Sequence, residues 1–157
     1  MGYKGNIGKS ADMEIIGLIA PNNTIAVGKA IPIARNRVNN TRVEGNCECD
    51  VDFRFIEHQA GTEQIQLRRR GLYSISIVIN GVGTAPMAWS ISDNEGNDYV
   101  VAADIATGAV VGTRIVRSSE GRTTIRIVNV SAAPIAISQF TDPSIPQGSV
   151  AVTYLGK

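Results

Sequence analysis

The chain has 157 residues, of which 43% are hydrophobic and 18% charged, and its 15 basic and 14 acidic side chains leave a formal net charge of +1. That length fits one domain burying roughly two thirds of its unfolded surface. The near-neutral balance excludes a protein that wraps nucleic acid, which needs a clear positive excess, and without an 18-residue apolar run no membrane-spanning helix is expected.

The opening stretch MGYKGNIGKSADMEIIG lacks the charged start and long apolar centre of a secretion signal. Asn6 also stands where a myristoylation site needs Ser or Thr. The expectation is a protein made and assembled in a cytoplasm. Gly8-Lys9-Ser10 matches the end of a phosphate loop, but Tyr3 occupies the position where that motif needs its first glycine. Residues 1–29 are rich in Gly, Asn and Lys, with one apolar patch, Met13–Ala20, closed by the turn residues Pro21-Asn22-Asn23. They are expected to form an extended arm with a short strand at Glu14–Ile19. The arm anchors the protein to a partner through Met13, Ile15, Ile16 and Leu18, and is not needed to fold the domain at 30–157.

Ala30–Arg37 is the first strand expected in that domain, with Pro32 suiting an edge, and Asn39-Asn40 is a turn. Val43–Ile56 alternates: Cys47, Cys49, Val51, Phe53 and Phe55 point inward, and Glu48, Asp50, Asp52 and Arg54 outward. Cysteines two apart on a strand lie about 6–7 Å from each other, too far for a relaxed disulfide, so both are expected as buried thiols. Glu48, Asp50 and Asp52 read either as a hard-cation site or, more plainly, as a solvated face paired with Arg54. No metal and no cofactor is assigned. His58, the sole histidine, falls in an expected loop with no nucleophile beside it, so no catalytic residue is assigned.

The stretch QIQLRRRGLYSISIVIN, Gln64–Asn80, organises the rest. Tyr73, Ile75, Ile77 and Ile79 point one way, and Leu72, Ser74, Ser76 and Val78 the other. The second set is small and uncharged, which suits a strand covered on both faces. Arg68-Arg69-Arg70 reads as ion-pairing loop residues or as a contact for an acidic partner. Further strands are expected at Met87–Ile91, Tyr99–Ala103, Val110–Arg117, Thr123–Val130, Pro134–Phe140 and Ser149–Leu155, with Asp93–Asp98 a hairpin turn. Met87 and Trp89 fill core or interface volume, or form a stacking platform for a glycan. Nine or ten strands without a helical period make an all-β antiparallel sandwich.

Three segments carry a resemblance: Ile65-Gln66-Leu67 with Gly71-Leu72-Tyr73-Ser74-Ile75-Ser76; Thr123–Asn129 followed by Ser131; and Val150–Leu155. In this order they resemble the C1q/TNF-like jelly roll, in the small bacterial and phage branch. The resemblance covers residues 30–157. It implies ten strands in two packed sheets and a compact homotrimer whose inner sheet faces the axis. On that basis Leu72, Ser74, Ser76 and Val78, with Val152 and Tyr154 of the last strand, are the expected trimer interface.

The resulting expectation is a non-catalytic structural protein of a phage virion, as a head decoration, head fibre or tail-associated component. It would be a homotrimer docked on other capsid or tail proteins, with no nucleic-acid or membrane partner. The alternative is a bacterial C1q-like binding module for a glycan or cell-surface ligand, for which a pocket lined by Trp89, Tyr99 and carboxylates would speak.

Overall fold

The computed structural model describes residues 10–15, 24–40, 55–137 and 147–156. They form twelve strands and, among the described residues, no helix. In chain order these are β1 (Ser10–Ile15), β2 (Thr24–Ile25), β3 (Arg35–Asn40), β4 (Ile56–His58), β5 (Ile65–Leu67) and β6 (Gly71–Val82), then β7 (Ala88–Asp93), β8 (Asp98–Ala102), β9 (Thr107–Ser118), β10 (Thr123–Asn129), β11 (Ile135–Ile137) and β12 (Gly148–Gly156). Every pairing between them is antiparallel.

Two sheets result. The large one runs β2-β11-β6-β12-β1-β3, with β9 also paired to β6; the small one runs β4-β5-β10-β7-β8. β6 is the hub. β9 bonds it along its whole length, and β12 followed by β11 takes its other edge. Its period-two sequence dictates the packing. Tyr73, Ile75, Ile77 and Ile79 are fully buried against Trp89, Ile91, Ile125 and Ile127 of the small sheet, as the alternation requires. Burying each such side chain contributes roughly 1.5–3 kcal/mol, so the hub strand alone supplies a large share of the apolar drive.

β6 can start where it does because residue 71 is glycine. Its φ is 145°, and a Cβ there would lie 2.5 Å from the Gly156 carbonyl oxygen and 2.8 Å from the Tyr154 ring. Tyr73 fixes the turn before it: its hydroxyl donates to the Arg69 carbonyl at 2.6 Å and accepts the Arg69 N–H at 3.0 Å. Burial pushes the Tyr73 hydroxyl well above the usual phenol range. The Asn129-x-Ser131 motif ties loops together in the same way. Asn129 Nδ2 donates to the Ile25 and Ala133 carbonyls, and Ser131 Oγ accepts from the Ala88 N–H at 2.7 Å. These short motifs satisfy buried backbone groups that would otherwise be costly.

Several expected boundaries move. Residues 31–34 are not strand, although Ile31 and Ile33 are in the core and bond the Ile127 and Thr62 carbonyls. β3 continues through Asn39 and Asn40 because β1 pairs with it there. The largest change concerns the N-terminal stretch. Rather than standing apart as an arm, β1 is hydrogen-bonded between β12 and β3, with Met13 opposite Val150 and Ile15 opposite Gly148. Ile25 is core as well, and β2 pairs with β11. An isolated low-apolarity segment looks dispensable by composition, but two neighbouring edges satisfy its backbone here. Ile16, Leu18, Cys47, Glu48, Cys49, Asp50 and Asp52 lie outside the described residues, as does most of the strand expected at 43–56; its last inward residue, Phe55, is fully buried.

Candidate functional site

The outward side of the large sheet is built by three strands in register. Directly paired residues of antiparallel strands share a face. Val78 therefore sits between Val111 and Ser149, Ser76 between Thr113 and Ala151, and Ser74 between Ile115 and Thr153. No member of this three-strand grid carries a charge; the charges beside it are Arg117 opposite Leu72 at its end, and Asp12 and Glu14 of β1, which pair with Ala151 and Ser149 on its flank. Leu72, Ser74, Ser76 and Val78 are half-buried by their neighbours in the single chain. On the flanks, Val111 is 65% exposed, Ile115 49% and Leu155 53%. Ser76 Oγ lies 2.8 Å from Thr113 Oγ1, so the central hydroxyls satisfy each other across strands instead of reaching for water. The result is an uncharged surface of small, hydroxyl-bearing side chains with exposed aliphatic ones beside them, and exposed aliphatic side chains gathered in this way suit an interface.

The last strand contributes differently from the expectation. Val152 and Tyr154 are inside the sandwich, at 0% and 4% exposure, not on the outward face. Val152 pairs with Ile75 and Tyr154 with Tyr73, so both must follow those residues inward. Tyr154 packs edge-on against Phe55 and Tyr73, and its hydroxyl donates to the Arg70 carbonyl at 3.0 Å. Ser149, Ala151 and Thr153 take their place outside. Val111 and Ile115 escaped the sequence reading because β9 is mixed on both faces; only its register against β6 identifies the outward half.

Other candidates are absorbed by the fold. Trp89 and Met87 are fully buried, which removes the stacking platform, and the Trp89 indole N–H has no hydrogen-bond partner there. Arg68 pairs with Glu57 at 2.7 Å, while the Arg69 guanidinium lies 4.6 Å above the Phe55 ring. The Asp93 carboxylate is spent on its own hairpin, accepting from the Glu95 and Asn97 N–H groups at 2.9 Å. His58 belongs to β4 rather than to a loop, and both its ring nitrogens have partners, Asn36 and Thr62. Among the described residues, no group of three or more His, Cys, Asp or Glu is placed to hold a metal ion.

No protein-family model matches the chain, and no curated protein matches it in sequence. Its three-dimensional arrangement does have counterparts. The vertex protein P5 of phage PRD1 aligns with a TM-score of 0.59 at 12% identity, covering 97% of this chain and 100% of that one. The Eiger TNF of S. frugiperda aligns with a TM-score of 0.60 at 7% identity, covering 97% and 95%. The globular domain of the zebrafish complement 1qA protein gives 0.55 at 8% identity, covering 94% and 96%. The fold is a C1q/TNF-like jelly roll.

Proposed function

We propose that this protein is a non-catalytic structural component of a phage virion, and that it acts as a homotrimer closed on the outward face of β9, β6 and β12. The observation that carries this reading is the uncharged grid around Ser76, with Val111, Ile115 and Leu155 exposed beside it. A second copy can remove that face from water; nothing among the described residues of the same chain does so. Closed rotational symmetry brings small side chains together near an axis, where Ser74, Ser76 and Ala151 allow close approach. Support for the virion setting comes from the likeness to a phage vertex protein, joined to a jelly roll built for packing rather than chemistry. Docking on other virion proteins is assigned to the N-terminal stretch outside β1, and the site of assembly is the host cytoplasm.

Light scattering coupled to size exclusion tests the assembly. At micromolar concentration the chain should elute with the mass of a trimer, and Ser76→Arg should elute as a monomer. A monomeric wild type, or a trimer that tolerates Ser76→Arg, removes the basis of this reading.

A further inference from the structure

On the side of the sandwich away from β3 and β4, the last strand of the large sheet, β9, faces the last strand of the small one, β8. Among the described residues β9 bonds only to β6 and β8 only to β7, so each leaves a free backbone edge. At Gly112 of β9 the two strands touch: a Cβ there would lie 2.4 Å from Val101 Cγ1. Two residues on, Arg114 stands in the gap. It pairs with Ile75 and so leaves β9 on the core side, yet it is exposed because the gap opens to solvent. Its guanidinium crosses to β8, where Nε and Nη2 donate to the Val100 carbonyl at 3.1 and 2.7 Å. Nη1 donates to the Thr113 carbonyl of its own strand at 2.9 Å. All three contacts are made with backbone acceptors. Antiparallel ladders use alternate residues, so a carbonyl turned to Arg114 places Val100, and with it Asp98 and Ala102, on the free edge of β8.

The rest of the β8 edge is undefended. Tyr99, Val100 and Val101 favour a strand, none of them is charged, and Val100 is 42% exposed. The one charge of the strand, Asp98, accepts a hydrogen bond from Ser92 Oγ at 2.7 Å. Unpaired N–H and C=O groups on such a strand are a template for another one, and a charge turned inward at a sheet edge is one way in which β proteins prevent this. Water would satisfy an exposed guanidinium almost as well, so the contact adds little stability. What it does is occupy the acceptor that an incoming strand needs. We propose that Arg114 is an edge guard, which keeps β8 from pairing with β8 of a second copy of this chain. That partner fits because an antiparallel strand set against itself about a twofold axis satisfies both edges at once. Centred on Val100, such a pair sets Asp98 opposite Ala102 of the other copy, so no like charges meet. The outward face around Ser76 plays no part in this, and the inference stands apart from the trimer.

Light scattering of the whole chain, followed over days, reads growth beyond whichever mass the wild type holds. Arg114→Met keeps the stem of the side chain and removes its donors. It should grow at least about tenfold faster than the wild type, the factor expected when the guarded state loses one charge-assisted hydrogen bond. Where Arg114→Met does not fold, Arg114→Gln is measured in its place under the same expectation. Adding Val100→Lys to that variant should return growth to the wild-type rate, because it sets like charges opposite each other at the centre of the pair. In the grown species, hydrogen exchange should slow at the Val100 and Ala102 amides. A wild-type growth rate in the arginine variant overturns the guard. So does growth that Val100→Lys leaves unchanged, or exchange at those two amides that does not slow, since either places the contact elsewhere.

Discussion

Across β4, β5 and β10 the small sheet turns Glu57, Gln66 and Arg126 outward; across β9, β6 and β12 the large sheet turns Val111, Ser76 and Ala151 outward. Glu57 and Arg126 are engaged in ion pairs with Arg68 and Glu63, and these side chains remain partly exposed. The two inner faces, by contrast, are alike: Ile65, Ile125 and Ile127 on one side meet Ile75, Ile77 and Val152 on the other, all fully buried. Alternation alone therefore says only that half of each strand is in the core. The residue types in the other half bear on what lies beyond it, which is water for the small sheet and, on the function proposed above, a second copy for the large one. A charge facing water costs little, but a charge facing a closed protein interface is left uncompensated.

The strongest way to break this contrast is to remove the strand that extends the large sheet. A chain beginning at Lys29 lacks β1 and β2, exposes the edges of β12 and β3, and loses Ile25 from the core. It should fail to fold cooperatively by circular dichroism and thermal melting, whereas a chain beginning at Ser10 should melt like the wild type. If the shorter chain folds and assembles normally, the N-terminal strand is an appendage to the sheet.

Next in size is a charge on the apolar face. Ser76→Arg in a closed trimer gathers three like charges at an axis, with an expected cost of about 3–5 kcal/mol per uncompensated charge. The protein should become monomeric while keeping its β-sheet spectrum, because Ser76 points away from the core. Loss of the spectrum as well would show that the residue is needed for the single chain.

A smaller effect should follow from Ile115→Asp or Val111→Asp at the flanks. Each removes apolar burial worth roughly 1.5 kcal/mol and adds a carboxylate near the rim, so the trimer should dissociate at concentrations at least tenfold higher than the wild type. Sedimentation velocity over a dilution series reads this directly. The smallest effect belongs to the charged face: Glu57→Ala or Arg126→Ala should change stability by about 0.5 kcal/mol and leave the assembly intact. A dissociated Arg126→Ala variant would mean that the small sheet also carries an interface.

Much of this was legible in one dimension. The run from Leu72 to Ile79 announces its own inner and outer halves, since the period of a strand is a local property of the backbone. Gly96 and Asn97 announce the hairpin, and the absence of helical period announces the class. Other features depend on which strand lies beside which, and the residues of one strand hold no record of that. Val152 and Tyr154 looked no different from Ala151 and Thr153 until β12 was set against β6 with Tyr154 opposite Tyr73. Residues 10–15 were too polar to claim a place in a core, yet became sheet because β12 and β3 offer them backbone partners on both edges. His58 acquired its partner from a strand 22 residues earlier, across the gap between two sheets. Periodicity belongs to consecutive residues, so the sequence by itself determined the strands and their inner faces. Register, edge pairing and the contact between His58 and Asn36 join residues far apart along the chain, and only the packed structure could decide them.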